Sequence, residues 1–269
     1  MLEWALGSYP VAAFRRFFEL ELLDRSFGLA AQAFVALLPL VILIVAVFAG
    51  SDGTVVANQL IERFGLDGAA ADAVTSLFDS PAQTFAISWI AVLITTYSAF
   101  SLSRKLSRTY GAIFQLPSLL PKELWRGVVW VLLQVAMFAL SSGLRNIWRD
   151  SDLSVGFFAG FAMFAFWFGG EYISIQLLVP TISRRLLIPS AILSSVGHMG
   201  IVIWAAIYMP RTLESQAQQF GPIGVTFSLF TLILVGVVVM LVAPLLVAVF
   251  DQRKRAVLTH AARAIQTGE

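Results

Sequence analysis

Two apolar runs, 157–180 and 186–208, are separated only by the basic turn Ser183-Arg184-Arg185. Each run matches the ~20 apolar residues a helix needs to cross ~30 Å of hydrocarbon. Two such runs joined by a short basic turn predict a transmembrane helical hairpin over 153–208. Inside it sit one carboxylate, Glu171, and one imidazole, His198. They are the only side chains within the confident apolar runs that titrate between acid and neutral pH.

The rest of the chain agrees with a bilayer as its solvent. Only 13% of its 269 residues are charged and 58% are hydrophobic, with mean hydropathy +0.83. A soluble domain carries about 25% charged residues. Further apolar runs occupy 27–50, 85–103, 124–144 and 223–250. The expected fold is therefore all-α and polytopic, with six transmembrane helices in a membrane domain spanning 27–250. The chain has no cysteine, so disulfides and thiol chemistry are excluded.

The segments between the runs have their own patterns. Residues 1–26 mix charges with aromatics, and Leu6, Pro10, Phe14, Phe17, Phe18 and Leu22 recur at helical spacing. That predicts an amphipathic helix lying in the interface. Residues 51–83 are acidic, yet Val55, Val56, Leu60, Ile61 and Phe64 share one helical face, as do Ala70, Ala73, Val74, Leu77 and Phe78. Two short amphipathic helices outside the membrane are expected there. The second spanning helix is expected to continue towards Phe114 until Pro117 and Pro121 end it. Residues 210–222 read as a polar link, and 251–269 as a basic tail, helical at first.

The distribution of basic residues tests the six-span reading. Lys and Arg concentrate in cytoplasmic segments. With six crossings, fourteen of the eighteen fall on the side of the two termini and four on the other. Both termini are thus expected in the cytoplasm, with 51–83 outside. Counting 1.5 Å per residue from the cytoplasmic helix ends places Glu171 at ~14 Å, His198 at ~18 Å, Gln134 at ~15 Å and Tyr97 at ~9 Å. Gln32 lies nearer the cytoplasmic face. An ionisable group at such depth costs at least ~2.5 kcal/mol on insertion scales and belongs in the bundle interior or a wet cavity. Glu171, His198, Gln134, Gln32 and Tyr97 are therefore the candidate substrate-binding or proton-coupling residues. The competing reading makes Glu171 and His198 helix-to-helix hydrogen bonds that never change state. Gly156, Gly160 and Gly169 follow the small-residue spacing of close helix contacts and leave homo-oligomerisation open.

Enzyme chemistry finds little support. His198 and His260 are the only histidines. The chain has no HExxH, no GxSxG elbow and no glycine-rich phosphate loop. No catalytic residue, metal site or cofactor is expected. The basic segments are what orientation requires, so nucleic acid is not an expected partner. Anionic lipid head groups at the cytoplasmic Arg and Lys loops are.

Several motifs occur in a fixed order. They are Leu29-Ala30-Ala31 with Ala36-Leu37-Leu38-Pro39-Leu40; Ser98-Ala99-Phe100 through Arg104, Leu106 and Tyr110; Glu171-Tyr172 through Pro180, Arg184-Arg185 and Ile188-Pro189-Ser190-Ala191; and Phe220-Gly221-Pro222-Ile223-Gly224. In order and spacing this set resembles the YihY/BrkB family of inner-membrane proteins, over roughly residues 14–250. The resemblance implies six spans in a bacterial-type plasma membrane and a role in transport or envelope integrity. Members were formerly labelled ribonuclease BN, a label since withdrawn; the missing nuclease chemistry here agrees with its withdrawal.

Two functions follow as expectations. The first is a transporter or exporter of a small solute or lipid, with a polar intramembrane site around Glu171. The second is a non-transporting membrane scaffold for cell-envelope integrity or assembly, acting through 51–83 and the tail.

Overall fold

The computed structural model of the chain describes residues 9–48, 57–58, 61–62, 66–78, 85–123, 125–149 and 153–267. Among these, regular structure is entirely helical. The helices are α1 (Tyr9–Glu19), α2 (Leu22–Phe48), α3 (Gly68–Phe78), α4 (Phe85–Phe114), α5 (Trp125–Arg149), α6 (Leu153–Leu178), α7 (Arg184–Phe220) and α8 (Pro222–Thr267), with a 3-10 turn at Pro121–Glu123. The first expected external helix, over 55–64, lies largely outside the described residues, as do residues 1–8 and the polar turn at 150–152.

Six long helices close a ring. α2 packs on α4, α4 on α5, α5 on α6, α6 on α7, α7 on α8, and α8 back on α2. α4 also touches α6 and α8. Gly160–Leu178, Arg184–Phe220 and Pro222–Ala256 are each long and apolar enough to cross a membrane. The outer surface is correspondingly apolar. Val35, Leu93, Leu132, Phe161, Ile203 and Phe227, from all six ring helices, are each more than half exposed. Large exposed apolar area over a whole bundle marks contact with something other than water.

Two apolar clusters pin the ends of the ring. At one end α1, the close of α4, the α6–α7 turn and the second half of α8 meet around Leu22, Tyr110, Ile113, Leu178, Leu187 and Leu245. Tyr110 is fully buried and its hydroxyl donates to the Met240 carbonyl at 3.3 Å. At the other end Ala57, Leu66 and Ala70 pack on Ala205, Met209 and Leu213 of α7 and Val225 of α8. Of the amphipathic face expected at 70–78, Ala70 packs on the end of α7.

Three local differences from the sequence reading have physical causes. The amphipathic segment 1–26 is not one helix. It breaks after Glu19, where Glu21 adopts φ 50°, and α2 starts at Leu22. The break lets α1 fold back onto α8, so Tyr9 donates to the Leu246 carbonyl at 2.5 Å while Phe14 and Phe18 stay exposed and ring-packed at 4.7 Å. Around Glu19, the guanidinium groups of Arg15 and Arg16 hold the carboxyl below its ordinary range. Second, 210–220 is helix, not a link. Met209, Leu213 and Ala217 form a buried stripe at i, i+4, i+8 that extends α7 through Pro210. Third, α8 continues unbroken into the tail as far as Thr267.

The turn between α7 and α8 explains the Phe220-Gly221-Pro222-Ile223-Gly224 motif. Gly221 sits at φ 58°, ψ −143°, a region nearly closed to side chains, and Gly224 lies against the Gln216 backbone.

One hydroxyl ties three segments together. Ser107 of α4 donates to the Leu178 carbonyl at 2.7 Å and accepts from the Leu119 N–H at 3.0 Å. Leu178 ends α6, so its carbonyl has no partner within that helix. Ser107→Ala is expected to lower unfolding free energy by about 1–3 kcal/mol, because buried backbone groups lose their partner. Thermal unfolding in detergent measures it. A loss no greater than for Thr212→Ala, whose exposed hydroxyl only bonds its own helix, would refute that role.

Candidate functional site

α6 touches both α5 and α7, so its inner face is enclosed by protein. Glu171 lies on that face, only 3% exposed. Across from it on α7, His198 brings Nδ1 to 3.2 Å from Glu171 Oε1. The same nitrogen lies 3.0 Å from the Ser194 carbonyl, one turn earlier. A carbonyl oxygen only accepts, so a hydrogen bond to Ser194 requires the tautomer with its hydrogen on Nδ1, the nitrogen that also lies within ion-pair distance of the carboxyl. Trp167, one turn before Glu171, stacks on the imidazole with ring centroids 5.0 Å apart and an interplanar angle of 11°. The indole face favours a positive charge above it. Gly197, beside His198, permits the close approach of α7 to α8 rather than to α6, because a side chain there would strike Val239 of α8.

The pair is only half satisfied. Glu171 Oε2 is buried without a hydrogen-bond partner among the described residues, and so are the hydroxyls of Ser190 and Ser194. Ser190, Ser194 and His198 are spaced by four residues and share one stripe of α7. One turn along α6 from Glu171, buried Ser174 donates to Gln134 Oε1 of α5 at 3.2 Å. Next to Glu171, Gly170 takes the close contact with α5, since a side chain there would meet Met137. Gly169, expected in that role, has open space around it. The result is a polar seam through α5, α6 and α7 containing one ionisable pair. Chemically it can hold a proton or accept a donor at Oε2. No group of three or more metal-ligating side chains occurs among the described residues.

The five expected site residues part company. Glu171 and His198 meet directly, while Gln134 bonds Ser174, one turn along α6 from Glu171. Tyr97 does not; it is 74% exposed on the outer surface of α4. Gln32 is half-buried on α2, whose main partners are α4 and α8 rather than the helices that carry the pair. Depth along a helix axis placed these residues in one layer, but rotation about the axis separates them. Trp167, Ser190 and Ser194 were not singled out from the sequence. Their signal was present, however: each stands one or two turns from Glu171 or His198 on the same face. Comparison of the chain with protein-family models, with curated proteins and with solved structures gave no match.

Proposed function

We propose that the chain is a six-span protein of a bacterial-type plasma membrane, with both termini cytoplasmic, that moves a small solute or lipid using the Glu171–His198 pair for proton coupling or substrate binding. The observation that carries this reading is the half-satisfied pair: a buried carboxylate with one oxygen on an imidazole and the other unpartnered. An unsatisfied buried polar group costs about 1–3 kcal/mol, and more when charged. A purely structural contact gains nothing by retaining it. The ring of six long helices, the apolar exterior and the grouping of α1 with the end of α8 support the topology. The ordered motifs that resemble the YihY/BrkB family support the location. The chain acts without enzymatic chemistry.

Mass spectrometry of what co-purifies with the gently extracted protein tests this. A defined small molecule or lipid is expected with wild type and is expected to fall about tenfold or more in Glu171→Gln, the loss of a charged hydrogen-bond acceptor. The scaffold reading draws on the packing of Ala57, Leu66 and Ala70 on α7. A partner protein retained in both samples, with only bulk lipid beside it, would favour that reading.

A further inference from the structure

A cavity of about 550 Å³ opens between α1, the first turns of α7 and the part of α8 beyond Leu246. Pockets of that order hold drug-sized molecules. It lies at the end of the bundle opposite Ala57, Leu66 and Ala70 and apart from Glu171. Its wall changes character along its length. Arg185, Pro189 and Leu193 follow one another at four-residue spacing on α7. α8 runs antiparallel to α7: Gly197 abuts Val239, while Leu187 shares a core cluster with Val249. Leu193 is therefore level with Ala243, about one turn before Leu246 and Val247, and Arg185 is level with Asp251, about one turn before Lys254. Deep in the bundle the wall is aliphatic; at its mouth it is cationic. Tyr9 supplies a third side, its hydroxyl on the Leu246 carbonyl and its ring edge-on to Phe250 at 6.0 Å.

The cations at the mouth are not neutralised from within. The acid in the wall, Asp251, is engaged by Arg255 at 2.7 Å. Among the described residues, Arg185 and Lys254 have no ion-pair partner, and both are exposed. Two cations above an apolar slot, at the level where both helices pass from apolar to charged sequence, match an amphiphile with an anionic head. A free anion would leave the aliphatic wall unused, and an uncharged lipid would leave the cations unused.

We propose that this cavity binds one anionic glycerophospholipid, its phosphate held by Arg185 and Lys254 and an acyl chain laid along Pro189, Leu193 and Val247. The site rests on the membrane reading but not on the transport reading. Because Tyr9 forms one wall, an occupying lipid bridges α1 to α7 and α8.

Native mass spectrometry of the full-length protein, titrated with phosphatidylglycerol against excess phosphatidylcholine, provides the test. Wild type is expected to retain one phosphatidylglycerol per chain. Arg185→Gln with Lys254→Gln is expected to reduce that preference about 30-fold, the effect of two cations at a membrane surface. Both residues are exposed, so the variant is expected to unfold at the wild-type temperature. Leu193→Trp, which fills the apolar slot, is expected to displace the lipid while phosphate still binds. Equal retention of the two lipids by wild type, or an unchanged preference in the double variant, overturns the proposal. Competition by glycerol phosphate or inorganic phosphate as strong as by the lipid would mean a free-anion site and overturns it too. Glu171→Gln is expected to leave phosphatidylglycerol retention untouched, so this site and the transport reading fail separately.

Discussion

His198→Ala is expected to lower the free energy of unfolding by about 3–5 kcal/mol, the cost of breaking a buried pair from one side. Among the described residues Glu171 has no second partner to fall back on, since Oε2 is already unsatisfied. The substitution also removes the ring against which Trp167 stacks and leaves a cavity beneath the indole. Removing both polar groups gives the opposite result. Glu171→Leu with His198→Leu is expected to lie within about 1 kcal/mol of wild type, or above it, because well-packed apolar replacements of buried pairs are often neutral or stabilising. Unfolding in detergent of wild type, Glu171→Leu, His198→Leu and the double-leucine variant closes a cycle that measures the coupling, with His198→Ala measured beside it. A His198→Ala loss under about 1 kcal/mol, well below a broken buried pair, would show that the carboxylate does not depend on the imidazole. The proton-coupling reading would then lose its physical basis. A stable double-leucine protein that no longer retains its co-purifying ligand would separate function from stability at this site.

The second large effect is expected in the turn between α7 and α8. Gly224→Ala would drive its new methyl group into the Gln216 backbone carbonyl, which cannot rotate away as a side chain would. Overpacking of this kind costs about 1–3 kcal/mol, and the absence of a movable neighbour puts the expected loss near the upper value. Gly221→Ala is expected to cost a further ~1–3 kcal/mol, because φ 58° with ψ −143° is strained for any side chain. Gly200→Ala and Gly236→Ala are the controls. A methyl group there meets nothing within 4 Å, and both positions are inside helices. These two are expected to be neutral or to stabilise by about 0.5–1 kcal/mol. Equal losses at all four positions would remove the argument from close approach.

Much of the fold was legible in the residues alone. Apolar runs of the right length announced long helices, because hydrocarbon leaves the backbone little choice but to bond within its own segment. The end of α4 at Phe114 followed from the prolines at 117 and 121. The boundaries that failed were those set by a partner. Residues 210–220 looked like a link because their polar residues outnumber the apolar ones. They are helical because Leu213 and Ala217 continue the stripe from Met209, and helix α3 with Ala57, Ile61 and Leu66 covers it. The break at Glu21 was hidden for a similar reason: α1 gains its burial by folding back on α8, a contact more than two hundred residues away in sequence.

The candidate site divides along the same line. Its chemistry was readable from sequence, since a carboxylate and an imidazole inside apolar runs are costly enough to stand out. In the packed bundle Glu171 meets His198, and Gln134 bonds Ser174 one turn from Glu171. Azimuth was not readable. A residue's angular position around a helix has meaning only relative to the neighbours that helix packs against, and those are chosen by the whole bundle. Thus Tyr97 faces outward, while Trp167 stacks on the imidazole and Ser194, one turn before His198, brings its carbonyl to Nδ1. Sequence by itself determined the long apolar helices and which groups would be expensive to bury. Tertiary packing alone decided which of those groups touch, because contact depends on helix rotation, which hydrophobic length does not constrain.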